Sequence, residues 1–168
     1  MTVTIRLAEK TDVPAVDALL ALSYPRLLKA DYAPSVLVTI LPAISRGRPS
    51  LVAGGTYFLA ETPDGTLVAA GGWTPGAPGP VLRDGPRTGH VRHVVGHPDY
   101  LRRGYARHVL DTAMTQARDA GMRRLECLST RTAVPFYTAM GFDIRQPVDV
   151  PIGPARIPFP SILMERAL

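Results

Sequence analysis

The residues with the clearest chemical potential lie in a short basic loop, residues 101–106, between two apolar runs. The run 91–95 before it is rich in β-branched residues, which is typical of a strand, and after Ala106 the apolar residues recur at helical spacing. A helix start carries unpaired backbone N–H groups and a partial positive charge, and Gly104 lets a bulky anion approach the backbone. The loop is therefore predicted to bind a phosphate or pyrophosphate group.

Arginines surround the glycine of this loop. Arg102 and Arg103 precede it and Arg107 follows it, so their charges lie at the rim of the predicted phosphate site. A Walker loop requires two glycines followed by Lys-Ser/Thr, and a dinucleotide fingerprint requires three glycines, so neither motif fits. The alternative interpretation is an ordinary strand-to-helix turn in which the arginines are merely solvated.

The spacing of the loop resembles the acetyl-CoA loop of the GNAT acyltransferases, in which Gln/Arg-x-x-Gly-x-Gly/Ala follows a strand and a Val-x-Pro-like turn. Its counterpart here is Leu101-x-x-Gly104-x-Ala106. Leu101 stands where the family prefers Gln or Arg, and Gly96 stands where a Val usually precedes the turn. Because backbone amides do most of the binding in such a loop, the two side-chain changes weaken the resemblance only moderately.

A second motif follows at the distance expected for the same family. Residues 136–142 are Phe-Tyr-Thr-Ala-Met-Gly-Phe, which resembles the signature Phe-Tyr-x-x-x-Gly-Phe. Two motifs in the same order are a much stronger signal than one. The resemblance implies an α/β fold of the GNAT type, with a mixed, largely antiparallel central sheet and helices on both faces, in a single domain spanning residues 1–168. It also implies acetyl-CoA as the co-substrate.

The same resemblance implies where the coenzyme lies. The acetyl-pantetheine arm is expected along a strand that bulges and splays from its neighbour, leaving free backbone N–H groups. The family often carries an Asn after the next strand to hold this arm, and a hydroxyl is expected to replace it here. The coenzyme-binding candidates are Val94, Val95, Gly96, Arg102, Arg103, Gly104, Tyr105, Ala106, Arg107 and Thr130.

Acyl transfer from a thioester to an amine sets three chemical requirements. The nucleophile must be neutral, the developing oxyanion needs N–H donors, and the departing thiolate needs a proton. Tyr137 matches the residue that usually protonates the thiolate in the family, although a buried tyrosine often bonds a backbone carbonyl instead. His93 and Glu126 are both candidates for the base, and water is a third route for the proton. A lone strand histidine is more often structural, and a glutamate there is often solvated or ion-paired.

The remaining chain supplies the elements that position these residues. Alternation predicts a strand over residues 2–8, and helical spacing predicts helices after Asp12 and Pro34, with Pro42 expected to end the second. Two β-rich runs around Pro63-Asp64-Gly65 predict a hairpin. Gly71 and Gly72 predict a bulge or a close approach of backbone or ligand beside Trp73, which is expected in the core, and a loop is predicted over 75–87. Gly121 is predicted to cap the helix that follows Ala106, and a strand over 123–129 should lie parallel to the strand ending at Gly96. A short helix within 130–140 and two closing strands, 142–151 and 161–166, around a Pro-rich turn complete the predicted elements.

Composition limits the class of protein. The 168 residues include 19 basic and 14 acidic side chains without a long basic run interleaved with aromatics, so no nucleic-acid partner is expected. Cys127 is the single cysteine, so no internal disulfide and no thiolate zinc cluster can form, and we expect no metal. Neither a secretory signal pattern nor a long apolar run is present, so we expect no membrane partner and a cytoplasmic location. A homodimer is left open.

These observations together predict an N-acetyltransferase that transfers an acetyl group from acetyl-CoA to a primary amine of a small molecule or peptide. The alternative is a non-catalytic acyl-CoA-binding sensor or partner module, because a fold does not fix a function. Tyr137 favours catalysis. No pattern identifies the acceptor, and the regions expected to select it are 23–31, 73–87 and 151–160.

Overall fold

The strands form where apolar residues alternate with polar ones or run uninterrupted between turns. The structure is a computed structural model and describes residues 2–82 and 84–168. In these residues the strands of one 7-stranded sheet are β1 (Thr4–Leu7), β2 (Tyr57–Glu61), β3 (Leu67–Thr74), β4 (Thr88–Gly96), β5 (Arg124–Thr130), β6 (Asp143–Ile152) and β7 (Ile157–Ala167). The α-helices are α1 (Val13–Leu28), α2 (Pro34–Ile44), α3 (Pro49–Val52), α4 (Tyr105–Asp119) and α5 (Val134–Ala139).

The strand order across the sheet is β1-β2-β3-β4-β5-β7-β6. The β4–β5 pair is parallel, and the other neighbouring pairs in the described chain are antiparallel. Because α4 joins the parallel pair, the predicted strand-helix-strand crossover is confirmed. The predicted hairpin is confirmed as well, since β2 and β3 pair around a turn in which the Gly65 amide donates to the Thr62 carbonyl at 2.9 Å.

Helices cover both faces of the sheet, as predicted. In β2, Phe58 and Ala60 pack into the core cluster that contains the apolar face of α4, whereas Tyr57 and Leu59 pack into the cluster that contains α1. Successive side chains of a strand point to opposite faces, so one short strand contributes to both cores. None of the helices in residues 2–82 and 84–168 has the length and apolar composition needed to cross a bilayer.

Glycines mark both ends of α4, the helix that follows the predicted phosphate loop. Gly104 at its start and Gly121 beyond its end have φ values of 83° and 90°, a conformation that favours glycine. The predicted Gly121 cap is therefore confirmed. Trp73 is 3% exposed, and its Nε1 donates to Gln116 Oε1 of α4 at 2.8 Å, so its predicted place in the core is confirmed too.

A bulge in β4 and an early end to its pairing with β5 create an opening in the middle of the sheet. His93 and Val94 of β4 together lie opposite the single residue Gly71 of β3, and His93 has a positive φ of 44°. Pairing between β4 and β5 stops at His90 and Glu126, although both strands continue. The bulged and splayed strand implied by the family resemblance is present.

The prediction that Pro42 ends the second helix is wrong, because α2 continues to Ile44. Proline removes the hydrogen bond to the carbonyl four residues earlier. That carbonyl belongs to Val38, whose position is 76% exposed, so water can take the place of the missing N–H. The helix then ends within the next turn.

The predicted Pro-rich turn is also wrong in its extent, because the turn between β6 and β7 occupies only residues 153–156. Pro151 and Pro158 lie directly opposite each other. Since neither has an N–H, the pair exchanges no hydrogen bonds and both nitrogens face away from the partner strand. The prolines are tolerated because β6 is an edge strand and because β7 extends here beyond its pairing with β5, which begins at Ser161.

Replacing Gly72 by alanine should destabilise the sheet beside the opening. A Cβ at Gly72 would lie 2.1 Å from the Thr56 carbonyl oxygen, which is held in place because it accepts a hydrogen bond from the Trp73 amide at 3.1 Å. Overpacking typically costs about 1–3 kcal/mol, so we expect the free energy of unfolding in urea to fall by about that amount or more.

The matched control is Gly76→Ala in the exposed loop after β3. There an added Cβ would meet only Asp84 Oδ1, at 3.9 Å, and the backbone has no positive φ. We expect a change within about 0.5 kcal/mol. Equal effects of the two substitutions would contradict the close approach of backbone at Gly72.

Candidate active site

The opening between β4 and β5 leads into a cavity of about 510 Å³. Along β4 its wall is formed by Val91, Arg92, His93 and Val94, and along β5 by residues 127–130. Tyr137 of α5 closes the wall on the face that α4 covers. The strands lose their pairing here, so the cavity is lined by backbone and side chains together.

The mouth of the cavity on the other face is built from separate segments. The residues that line it are Tyr24 of α1, residues 43–44 and 46–49 around the α2–α3 connection, residues 78–80 and residues 150–153. Each of the three regions expected to select the acceptor therefore contributes at least one residue. Residues 43–49 were missed, because no local pattern indicates that this segment reaches the cavity.

The loop after β4 presents a series of unpaired backbone N–H groups. No backbone carbonyl in the described residues accepts a hydrogen bond from the amides of residues 101–107, and the first helical bond of α4 runs from His108 N–H to the Gly104 carbonyl at 3.0 Å. A Cβ on Gly104 would meet nothing within 4 Å, and the small side chain of Ala106 leaves the helix start open. This geometry suits the predicted pyrophosphate site.

The side chains around this loop have different surroundings. Arg102, Arg103 and Arg107 are exposed, and the Arg103 guanidinium lies 5.1 Å from the centre of the Tyr100 ring. They can supply positive charge without first breaking a buried contact. Tyr105 is a buried member of the α4 core cluster, so it can offer only its backbone to a ligand.

The β4 residues expected to hold the pantetheine arm also differ in their surroundings. Val94 lines the cavity, whereas Val95 is buried in the core cluster of α1. The Gly96 carbonyl already accepts a hydrogen bond from the buried Ser23 Oγ at 2.9 Å. Beyond His90, the edge of β4 that faces β5 has no strand partner in the described part of the chain, so backbone groups there are available.

Hydroxyl groups stand where the family often has an Asn. Thr130 lines the cavity, and its Oγ1 accepts a hydrogen bond from the Ala133 amide at 3.2 Å, which leaves the hydroxyl hydrogen to donate elsewhere. Thr132 Oγ1 is buried without a hydrogen-bond partner among residues 2–82 and 84–168. Donors are therefore present near the end of β5.

Tyr137 is buried among aromatic side chains. Its ring centre lies 5.2 Å from that of Phe136 and 5.4 Å from that of Phe142. Burial raises the pKa of the Tyr137 phenol well above its ordinary value, and the neighbouring Cys127 thiol adds to the shift. The phenol is therefore protonated at neutral pH, and the thiol beside its hydroxyl is a weak acceptor.

His93 is held at the bulge and lines the cavity. Its carbonyl accepts a hydrogen bond from the Tyr57 hydroxyl at 2.9 Å. Burial lowers the pKa of His93 to about 4, and the positive charges of Arg92 and Arg48 contribute. The imidazole is therefore neutral at neutral pH.

Glu126 is placed differently from His93. Its Oε2 lies 3.6 Å from His90 Nδ1 and its Oε1 lies 3.9 Å from Arg124 Nη2, and it does not line the cavity. Burial raises the pKa of Glu126. His90, which sequence reasoning missed, is fully buried, and neither ring nitrogen has a hydrogen-bond partner within the described residues. The structure thus separates the two candidate bases.

Solved structures share this fold at low sequence identity. A GCN5-related N-acetyltransferase from Rhodopseudomonas palustris has a TM-score of 0.75 and 19% identity, over 100% of this chain and 97% of its own. The PaiA N-acetyltransferase of Thermoplasma acidophilum, solved with coenzyme A, has a TM-score of 0.72 and 13% identity over 100% of both chains. The yncA protein of Salmonella typhimurium, solved with acetyl-CoA, has a TM-score of 0.68 and 15% identity, over 100% of this chain and 95% of its own. No curated protein matches in sequence.

The match to a sequence family identifies the chain more firmly than these structural similarities do. Residues 27–142 match the sequence model of the Acetyltransferase (GNAT) family. The matched span includes the basic loop at residues 101–107, the segment 136–142 and both strands that border the cavity. It covers well over half of the 168 residues. The chain therefore belongs to the GNAT acetyltransferase family.

Proposed function

We propose that this protein transfers an acetyl group from acetyl-CoA to a primary amine of a small molecule or peptide. The observation that carries the proposal is the series of amides at residues 101–107 that have no partner within the described chain. They follow β4 after the four-residue turn 97–100, and Val94 of β4 lines the cavity beside Tyr137. An anion site and a site for acyl transfer are thereby connected along one strand. Two relatives of the same fold were solved with coenzyme A and acetyl-CoA.

In this proposal the coenzyme is held mainly by backbone. Its pyrophosphate accepts hydrogen bonds from the amides around Gly104, and the exposed Arg102, Arg103 and Arg107 add charge. Its pantetheine arm contains amide groups that match the unpaired edge of β4. The Thr130 hydroxyl supplies a further donor at the end of β5.

The proposed reaction is a direct transfer without a covalent enzyme intermediate. The lone pair of a neutral amine attacks the thioester carbonyl carbon, the C–N bond forms, the C–S bond breaks and the electron pair stays on sulfur. Unpaired N–H groups of β4 stabilise the oxyanion. The Tyr137 hydroxyl donates its proton to the thiolate and the amine nitrogen loses one proton to water. The phenolate then regains a proton from water, so the products are the amide and the coenzyme A thiol.

The route of that amine proton follows from the positions of His93 and Glu126. With a pKa of about 4, His93 is a weak base at neutral pH, but its neutral ring can accept a hydrogen bond and orient the amine. Glu126 lies outside the cavity lining and requires intervening water to reach the amine. We therefore assign His93 to orienting the acceptor amine. The proton of the amine passes to water, and Glu126 is a distant acceptor for it.

The alternative function, a non-catalytic acyl-CoA sensor or partner module, uses the same coenzyme site. It gives no role to the Tyr137 hydroxyl, so Tyr137 distinguishes the two. We further propose that residues 1–168 act as one domain in the cytoplasm, where the buried thiol of Cys127 stays reduced.

Coenzyme A should stabilise the folded protein, and Gly104→Val should abolish this effect. A ligand that binds only the folded state adds about 2.7 kcal/mol at 100 times its Kd, which raises Tm. Valine at Gly104 would fill the open space over the free amides. The matched control is Gly121→Val at the other end of α4, which has a similar positive φ and open surroundings, and therefore similar strain.

We expect Gly121→Val to lower Tm but to keep the shift caused by coenzyme A. Thermal unfolding of the three proteins with and without millimolar coenzyme A checks this. A normal shift in Gly104→Val would place the pyrophosphate elsewhere, and no shift in the parent protein would contradict the proposed coenzyme.

Tyr137→Phe should lower kcat while leaving coenzyme affinity almost unchanged. Only one oxygen is removed, and general acid catalysis typically contributes about 10²- to 10⁴-fold, so single-turnover rates should fall within that range. The control is Tyr32→Phe, because the Tyr32 hydroxyl donates to the Pro160 carbonyl at 2.7 Å and accepts from the Arg131 amide at 2.8 Å. That control should lose about 1 kcal/mol of stability but keep its rate per folded molecule. A loss of stability in Tyr137→Phe with an unchanged rate per folded molecule would remove Tyr137 from the mechanism.

His93→Asn should reduce the loss of stability in acid. In the parent, the His93 pKa of about 4 lies below the ordinary value of 6.5, so the unfolded state binds the proton first. Stability is therefore fully present above about pH 6.5 and falls as the pH approaches 4, by up to about 1.4 kcal/mol per pH unit. Asparagine tolerates the positive φ and has no such proton to bind.

Urea unfolding of the two proteins between pH 4 and 7 measures this difference. His90, whose pKa burial also lowers, is present in both proteins and cancels. Identical slopes of unfolding free energy against pH would show that His93 is not held neutral by its surroundings.

A further inference from the structure

The wall of the cavity on the face away from α4 is unusually rich in positive charge. Arg46, Arg48 and Arg92 all line it, whereas no Asp or Glu among residues 2–82 and 84–168 does so. Arg92 comes from the β4 bulge region, and Arg46 and Arg48 come from the connection between α2 and α3. Charges from two distant parts of the sequence therefore converge on one space.

These arginines have no carboxylate partner among residues 2–82 and 84–168. Elsewhere in the described chain Arg6, Arg26 and Arg145 pair with carboxylates at 2.5–2.8 Å, but none of the ion pairs there involves Arg46, Arg48 or Arg92. Arg92 is partly buried, and its Nη1 donates to the Thr74 hydroxyl at 3.2 Å. Burial lowers the pKa of Arg92, and the charge of Arg48 lowers it further, so the two cations repel each other.

The segment that carries two of these arginines is fixed in place. The Gly47 amide donates to Asp17 Oδ1 of α1 at 2.6 Å, and a Cβ on Gly47 would lie 3.1 Å from Val16 Cγ1. The nearby carboxylate is thus engaged by backbone and does not line the cavity. Arg46 and Arg48 flank this anchored glycine, so their backbone is presented at the cavity mouth by a rigid support.

We propose that the acceptor is an amine that also carries an anionic oxygen group, a carboxylate or a phosphonate, and that Arg48 and Arg92 bind this group. The inference rests on the proposed function and names the substrate class of the same site. An anion between two unpaired guanidinium groups relieves their repulsion and accepts hydrogen bonds in the planar geometry that arginine favours. The mouth between residues 43–49 and residues 150–153 then selects the remainder of the molecule.

The same charges favour the reactive form of the acceptor. A neighbouring cation disfavours an ammonium ion more than a neutral amine, so the acceptor amine loses its proton more readily in this cavity than in water. Attack on the thioester requires that neutral form. A polyamine has no anionic group to offset the repulsion, so it is a poor acceptor here.

A panel of acceptors at saturating acetyl-CoA tests the substrate class through release of free thiol. The panel contains α-amino acids, their neutral carboxamides, aminoalkylphosphonates, alkylamines and diamines. We expect at least one acid or phosphonate to exceed its neutral counterpart about 10- to 100-fold in kcat/KM, as for hydrogen bonds to a charged group. The acid and phosphonate arms show which oxyanion the arginines prefer. Higher kcat/KM for carboxamides, alkylamines or diamines would overturn the inference while leaving acetyl transfer intact.

Arginine variants test whether Arg48 and Arg92 bind the anionic group of the acceptor. Arg48→Gln and Arg92→Gln should raise KM for the best anionic acceptor about 10- to 100-fold and should affect its carboxamide much less, with KM for acetyl-CoA unchanged. Arg118→Gln, in the last turn of α4 and exposed, removes the same charge away from the cavity and should change neither value. Arg48 is also exposed, so its variant should fold even where Arg92→Gln does not.

The outcomes separate the two proposals. An effect on KM for acetyl-CoA alone would assign these arginines to the coenzyme and overturn the inference. Acetylation of no amine in the panel, despite a rise in Tm with acetyl-CoA, would contradict the proposed enzyme function and the inferred substrate class together.

Discussion

The candidate site depends on the loss of hydrogen bonding between β4 and β5 beyond His90 and Glu126. Buried backbone groups are normally paired, so a gap inside a sheet must be maintained by its surroundings. Here each strand keeps its other neighbour, because β4 stays paired with β3 to Gly96 and β5 stays paired with β7 to Thr130. Gly71 helps, since a Cβ there would lie 2.8 Å from Val94 Cγ2 at the bulge. The cavity therefore has two rigid walls, which suits precise positioning of reacting groups.

The charge of the cavity fits the reaction proposed for it. Direct acyl transfer starts from a neutral amine and develops negative charge on oxygen and sulfur. Tyr137 remains protonated and His93 remains neutral, while Arg92 stays cationic without a carboxylate partner in the described residues. The site thus offers donors and positive charge to a system that becomes more negative as it reacts.

The features that could be predicted from the sequence are those fixed by local physics. The strand before Gly96, the open helix start at Gly104 and the left-handed end at Gly121 follow from residues close together in the chain. The arginine-bearing wall could not be predicted, because the Gly47 amide is anchored by Asp17, thirty residues earlier. The sequence identifies Glu126 as a residue of the strand predicted over 123–129, but it gives no information about the neighbour across the sheet, His90.

The prolines of the last hairpin have a consequence for how the protein meets other chains. β6 is an outer strand of the sheet, and an exposed edge is a template for unwanted strand addition and aggregation. The nitrogen of Pro151 faces outward, and that of Pro147, four residues earlier on the same strand, does so as well. Two of the donors that an added strand needs are therefore missing from this edge. The hairpin that borders the cavity thus also protects the sheet against extension by another chain.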